Sequence, residues 1–304
     1  LHKLLITGKP VFVIIDDNLQ HLAEHFRQFP LYFFKSSEKK KTLESVVEIV
    51  QWLLEQGADR NSLVLGVGGG ITTDVTGFAA SIYKRGVKFA FVPTTLLAQV
   101  DASIGGKNGV NFLSYKNILG TITQPEWIFI CPQLLATLPE NEFKAGIAEV
   151  LKTFILFDKE YYRKAVGYFA AIAPKDGETY GTAAVGLDGS LLAEIIGKCA
   201  KYKSEVVERD EFERGERRML NLGHTFAHSI EKLAGGEISH GYAVSMGMVL
   251  AAKFADVLCV AREGFTQMLI NDLRSVGLPA LLEDCPLTAN FKPGDLAEAV
   301  GKDK

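Results

Sequence analysis

Between Val11 and Ile130 the chain alternates short β-rich apolar runs with stretches of helical spacing, and after about Pro132 the β-rich runs stop. That change of period constrains the fold more than any single motif. Val11-Phe12-Val13-Ile14-Ile15 closes on Asp16-Asp17-Asn18, and Leu31 to Phe34, Ser62 to Val67 and Phe89 to Pro93 are further runs of the same kind. Between them, Thr42 to Gln56 sets Leu43, Val46, Val47, Ile49, Val50 and Leu53 at helical spacing. Strands alternating with helices at this pitch build βαβ units and a mostly parallel sheet. Beyond Pro132, Glu140 to Phe157, Leu191 to Arg209, Met219 to Leu233, Tyr242 to Ala261 and Glu263 to Ser275 carry apolar residues at the 3.6-residue period. The expected organisation is an α/β domain over residues 1–131 and an all-α domain over residues 132–304, with a ligand in the cleft between them. Gly177 to Gly189 reads as a mobile connection between helices.

Composition excludes several classes. With 304 residues and a formal net charge of −3, and with no long block of like charge, the chain lacks the basic face of a nucleic-acid binder. Its longest apolar stretch, Ala243 to Ala261, is interrupted by Ser245, Lys253 and Asp256. It falls short of the roughly 18 apolar residues of a membrane span. The N-terminal residues lack a signal-peptide pattern, and the four cysteines have no CxxC spacing, so neither a disulfide framework nor a cysteine metal site is indicated. A cytoplasmic globular protein is expected.

Three constellations carry chemistry. The run Ser62 to Val67 feeds Gly68-Gly69-Gly70 and then Ile71-Thr72-Thr73-Asp74. Consecutive glycine N–H groups at a helix start suit an anion. A plain tight turn would also use such glycines, and Asp74 suits either a helix cap or a ribose or substrate hydroxyl. The spacing is not that of the common dinucleotide fingerprint. Second, His224 and His228 stand four apart and share one helix face, and His240 lies in a turn entering the next helix. Two histidines and a carboxylate form an open catalytic zinc site. Glu149, on an otherwise apolar helical surface where an unpaired carboxylate would be costly, is the candidate third ligand. Ordinary surface histidines remain the competing reading. Third, Asp101 to Asn111 mixes glycines, amides, Asp101 and Lys107 and is followed by Lys116-Asn117, while Lys152 follows Glu149 by three residues. Lys203, Arg217 and Asn221 precede the histidine pair, the last two at spacings that place them in one stripe with His224. Together these groups suit a ligand with several negative charges, although singly each reads as a solvated charge.

At these residues the sequence resembles the 3-dehydroquinate synthases, a branch of the sugar phosphate cyclases. The resemblance runs through the glycine turn and Asp74, Arg85-Gly86, Pro93 to Asp101, Ile104 to Lys107, Lys116-Asn117, Glu149-Val150-x-Lys152, Lys203, Arg217, Asn221 to His228 and His240-Gly241. It implies a Rossmann-like NAD-binding α/β domain and an α-helical domain that binds Zn²⁺, or Co²⁺, and substrate. The implied reaction turns 3-deoxy-D-arabino-heptulosonate 7-phosphate into 3-dehydroquinate and phosphate. It proceeds by transient oxidation by NAD, phosphate elimination, re-reduction, ring opening and an aldol closure. The resemblance makes Glu149, His224 and His240 the metal ligands. It makes Asp16, Asn18, Glu38, Lys41, Gly68, Gly69, Gly70, Asp74, Thr94, Thr95, Leu97, Asp101, Lys107 and Lys116 contacts of NAD. Lys152, Lys203, Arg217 and Asn221 become substrate-binding and catalytic groups, with Lys107 and Asn117 near the phosphate and Asp101 and His228 around the reacting hydroxyl. Arg85 would reach a neighbouring subunit's phosphate site, which implies a homodimer, and Lys304 matches the start of a lysine motif near the phosphate. Ser37 stands where a glycine usually precedes the acid Glu38. Competing expectations are another sugar phosphate cyclase, a metal-dependent polyol dehydrogenase of the glycerol type and a homologue that binds without turnover.

Overall fold

In the computed structural model, which describes residues 8–113, 115–172 and 177–301, the early apolar runs become a parallel sheet. Its strands are β1 (Val11–Asp16), β2 (Leu31–Phe34), β3 (Leu63–Gly68) and β4 (Lys88–Pro93), in the order β2-β1-β3-β4. Side-chain alternation sends Phe12, Ile14, Val64, Phe89 and Phe91 to one face, against α1 (Leu43–Glu55) and α2 (Gly70–Ile82). Val11, Val13, Ile15, Leu63, Leu65, Val67, Ala90 and Val92 go to the other, around Phe26. Both faces are covered, which is why these strands read as unbroken apolar runs. The order places β1 and β3 side by side, Ile15 opposite Val67, while their onward connections lead to opposite edges of the sheet. The ends of β1 and β3, Asp16 and Gly68, therefore flank the topological switch point where parallel α/β sheets bind ligands.

One element of this region was not legible. β5 (Lys107–Phe112) and β6 (Tyr115–Ile122) form an antiparallel hairpin outside the parallel sheet. Its glycines and amides hide the strand alternation. Buried Asn108 replaces apolar packing, its Nδ2 donating to the Gly106 and Thr123 carbonyls at 2.8 and 2.9 Å.

The chain divides into two compact units, Leu1–Leu134 and Leu135–Lys304. The second is helical: α3 (Glu140–Phe157), α4 (Lys159–Ala170), α5 (Tyr180–Arg209), α6 (His224–Leu233), α7 (His240–Val257), α8 (Phe265–Ser275) and α9 (Pro293–Val300). Two expectations are corrected. Gly177 to Gly189 is not a connection between helices, because α5 starts at Tyr180, with Thr179 Oγ1 accepting from Thr182 N at 2.9 Å. Gly181 is there for close packing, since a Cβ would fall 1.8 Å from the Leu135 carbonyl oxygen. The helix only kinks at Asp188, whose Oδ1 accepts from the Ser190 and Leu191 N–H groups. Likewise Met219 to Leu233 is not one helix. A 3₁₀ turn, Glu216–Asn221, ends before Gly223, which takes φ 80° ahead of α6. Arg217 and Asn221 therefore do not share an α-helical stripe with His224.

No helix of the described residues is long and apolar enough to cross a membrane.

Candidate active site

Close backbone contacts draw the metal-ligand candidates together. At Gly241, on the first turn of α7, a Cβ would fall 2.3 Å from Ala145 Cα, so only glycine lets α7 pass α3 one turn ahead of Glu149. At Gly223 a Cβ would fall 2.7 Å from Met248 N, so the turn into α6 seats directly on α7. His224 opens α6 and His240 opens α7, and both rings arrive above the fully buried Glu149. The two Nε2 atoms lie 3.6 and 3.4 Å from Glu149 Oε1, and one ligand atom from each of the three residues falls within 4.8 Å of the others. The remaining ring nitrogens are held from behind: His224 Nδ1 lies 3.4 Å from the Leu222 carbonyl and His240 Nδ1 lies 3.0 Å from Glu231 Oε1.

Electrostatics at Glu149 are set by neighbours. Burial alone would push its carboxyl up, but the Lys152 ammonium at 2.5 Å and the His240 and His224 imidazoles hold it well below the usual carboxylate range. Burial favours neutral His240, yet Glu149 and Glu231 on its two sides push it up to about 10. Both Glu149 oxygens are sealed from solvent without a hydrogen bond of good geometry. A divalent cation on this carboxylate and the two imidazoles would satisfy those oxygens, so the residues present fit a metal.

Lys152, against Glu149, and also Lys203 and Arg217 are buried cations of the helical unit. Arg217 Nη1 donates to the Glu211 carbonyl at 2.5 Å, and its backbone N–H to Asp210 Oδ2 at 3.0 Å. Asn221 is exposed and donates from Nδ2 to Glu213 Oε1 at 2.9 Å, while exposed His228 stands with its ring 5.6 Å from that of His224. The acids Asp210, Glu213 and Glu231 were missed by sequence reasoning. For Glu231 a signal existed, because it follows His224 by seven residues and His228 by three on one helix.

In the first unit, Asp16 ends β1 and accepts from Asn18 through Oδ1, and burial raises its pKa. Gly69 caps α2, Gly70 opens it, and the Thr94 N–H reaches the Gly68 carbonyl across the strand ends. Thr95 Oγ1 accepts from Ala98 N, next to half-buried Leu97 and Asp101. Asp74 pairs with buried Lys41 at 2.5 Å, and Lys41 also donates to Asn117 Oδ1. Glu38 accepts from Asn111 Nδ2 and lies 3.9 Å from the Lys116 ammonium. Lys107 and Arg85 are exposed, on β5 and on the turn after α2. Lys304 lies outside the described residues.

Sequence profiles of the N-terminal and C-terminal 3-dehydroquinate synthase domains match residues 31–145 and 146–304. The chain belongs to the 3-dehydroquinate synthase family. The 3-dehydroquinate synthase of Thermococcus kodakarensis is 43% identical over 261 residues, which is 86% of this chain and 69% of that protein. Among solved structures, 2-epi-5-epi-valiolone synthase from Streptomyces hygroscopicus subsp. jinggangensis 5008, with NAD⁺ and Zn²⁺ bound, matches with a TM-score of 0.86 at 28% identity, over 98% of this chain and 81% of that one. A 2-deoxy-scyllo-inosose synthase complexed with carbaglucose-6-phosphate, NAD⁺ and Co²⁺ matches at 0.79 and 27% identity, over 97% and 78% of the two chains. The 3-dehydroquinate synthase fold of this chain accordingly pairs a parallel α/β unit with a helical one.

Proposed function

We propose that this chain is a 3-dehydroquinate synthase, an NAD- and divalent-metal-dependent lyase of the shikimate pathway. It converts 3-deoxy-D-arabino-heptulosonate 7-phosphate into 3-dehydroquinate and phosphate. The observation that carries the reading is the convergence of His224 and His240 Nε2 on the buried Glu149 carboxylate, with Lys152 against it. In this proposal the α/β unit holds NAD at the switch point, through Asp16 and the Gly68 to Gly70 turn. The helical unit holds Zn²⁺ or Co²⁺ on Glu149, His224 and His240.

Bound NAD would supply a hydride acceptor that is regenerated within each turnover, and the bound cation a Lewis acid. The chain's own residues bind and orient. Arg217, its guanidinium held by the Glu211 carbonyl, presents a fixed fork for the substrate carboxylate. Asn221, anchored by Glu213, reaches a hydroxyl. Lys152 keeps Glu149 ionised for the metal, and Lys203 adds positive charge toward the phosphorylated substrate. Exposed His228 moves protons at the reacting hydroxyl. Asn117 and Lys107 belong on the phosphate, Arg85 on the phosphate of a second subunit in a homodimer, and the enzyme in the cytoplasm.

The test follows phosphate and NADH in one cuvette with the heptulosonate phosphate as substrate. Phosphate release at catalytic NAD with no lasting absorbance rise is expected. Stoichiometric NADH without phosphate would instead mean a polyol dehydrogenase. Turnover only with another sugar phosphate would mean a different cyclase.

A further inference from the structure

His224 and His240 both face Glu149 through Nε2, but they are held from behind by different groups. His224 has the neutral Leu222 carbonyl at 3.4 Å, whereas His240 has the carboxylate of Glu231 at 3.0 Å. Glu231 is 3% exposed, an expensive place for a carboxylate. It reaches His240 because α6 ends in a tight reversal: the Gly236 N–H bonds to the Glu231 carbonyl at 2.9 Å, and Gly235 and Gly236 take φ 63° and 79°. That reversal turns the chain so that the first residue of α7 lies against the last turn of α6.

We infer that Glu231 is the positioning residue of the metal centre: its carboxylate accepts a hydrogen bond from the Nδ1–H of His240 and so presents the Nε2 lone pair to a cation shared with Glu149 and His224. An imidazole that donates Nδ1–H to a carboxylate is fixed in tautomer and ring angle and is a more basic ligand. Glu231 touches neither substrate nor cofactor in this role. The inference rests on the metal reading of Glu149, His224 and His240, and its test separates the two.

The protein is stripped with a chelator, and zinc affinity is measured by competition with a chromophoric chelator. The visible spectrum of the Co²⁺ form is recorded alongside. Wild-type protein takes up one metal, and Glu231→Ala weakens zinc binding about 10- to 100-fold and alters the Co²⁺ bands. Glu231→Gln, which keeps the shape and an acceptor oxygen but not the charge, falls between the two. A merely structural Glu231 would lower the melting temperature of the stripped protein and leave the zinc constant and the Co²⁺ spectrum alone, which would overturn the assignment. If Glu231→Ala does not fold, an unchanged zinc constant and Co²⁺ spectrum in Glu231→Gln overturn it equally. Wild-type protein that takes up neither metal would bring down the metal reading itself, and this inference with it.

Discussion

Arg217 is among the largest fully buried side chains of the molecule, and its position is fixed before any ligand arrives. Asp210 Oδ2 receives the N–H groups of Gly215 and Arg217, while the Glu211 carbonyl receives Nη1. Replacing Arg217 with Ala removes a prepaid charge-assisted contact, worth about 1.5–3 kcal/mol. KM for the heptulosonate phosphate should rise by ~10- to 100-fold while KM for NAD stays within about twofold. Equal rises in steady-state kinetics would contradict a substrate role. A second prediction concerns Asp284, whose carboxylate takes a two-point bond from Arg274 at 2.7 and 3.0 Å and the Ala280 and Leu281 N–H groups. The Arg274 guanidinium first, and these N–H groups with it, hold its pKa at about 2, below the 3.8 of an ordinary aspartate. A folded-state pKa below the unfolded one stabilises fully above pH 3.8 and progressively less as pH falls toward 2. Asp284→Asn should therefore melt earlier near pH 7, by on the order of 1 kcal/mol because Arg274 is half exposed, and the gap should close as pH falls through that window. A gap independent of pH would exclude the ion pair as its source. Residue types and spacing pointed to Glu149 and to His224, His228 and His240, and the family resemblance chose His224 and His240 among the histidines. Glu231, behind His240, was passed over although it shares a helix face with His224 and His228, because a surface glutamate and a buried one look alike until the fold places them.

At the scale of elements, the site depends on how closely α7 approaches α3 and the turn before α6. Gly241→Ala puts a methyl 2.3 to 2.7 Å from the Ala145 backbone, where no flexible side chain can yield. We expect a loss of about 1–3 kcal/mol in thermal or denaturant unfolding, together with weaker zinc binding, because His240 and Glu149 are pushed apart in the same movement. Lower stability with an unchanged zinc constant would show that the approach serves packing alone. The strands of the parallel sheet and α3 were legible because burial on both sheet faces or along one helix face leaves a clear period. The β5–β6 hairpin was not, since a buried asparagine and glycines do the work of apolar pairs. The break at Gly223 was also invisible, because apolar residues continue at helical spacing through it and only tertiary contact with α7 demands the left-handed turn.

For the whole molecule, the open question is whether one chain completes its own site. Arg85 lies at φ 69° beside Lys84 at φ 49°, a backbone region costly for side chains other than glycine. The turn is nevertheless fastened: the Gly86 N–H bonds to the Tyr83 carbonyl, the Val87 N–H to that of Ala80, and the Tyr83 hydroxyl donates to the Ala58 carbonyl at 2.7 Å. A strained, well-anchored turn that holds an exposed cation outward suits work on another molecule, and a second copy of the chain is the partner proposed above. Complementation decides it. Arg85→Ala and Lys152→Met proteins are each expected to be nearly inactive. In a mixed dimer where Arg85 acts on the partner's site, one site has its own Lys152 and receives an intact Arg85, while the other lacks both. Random exchange makes about half the dimers mixed, so activity should return to about one quarter of wild type. If Arg85 serves its own site, every mixed dimer carries one defect in each site and no activity returns after exchange.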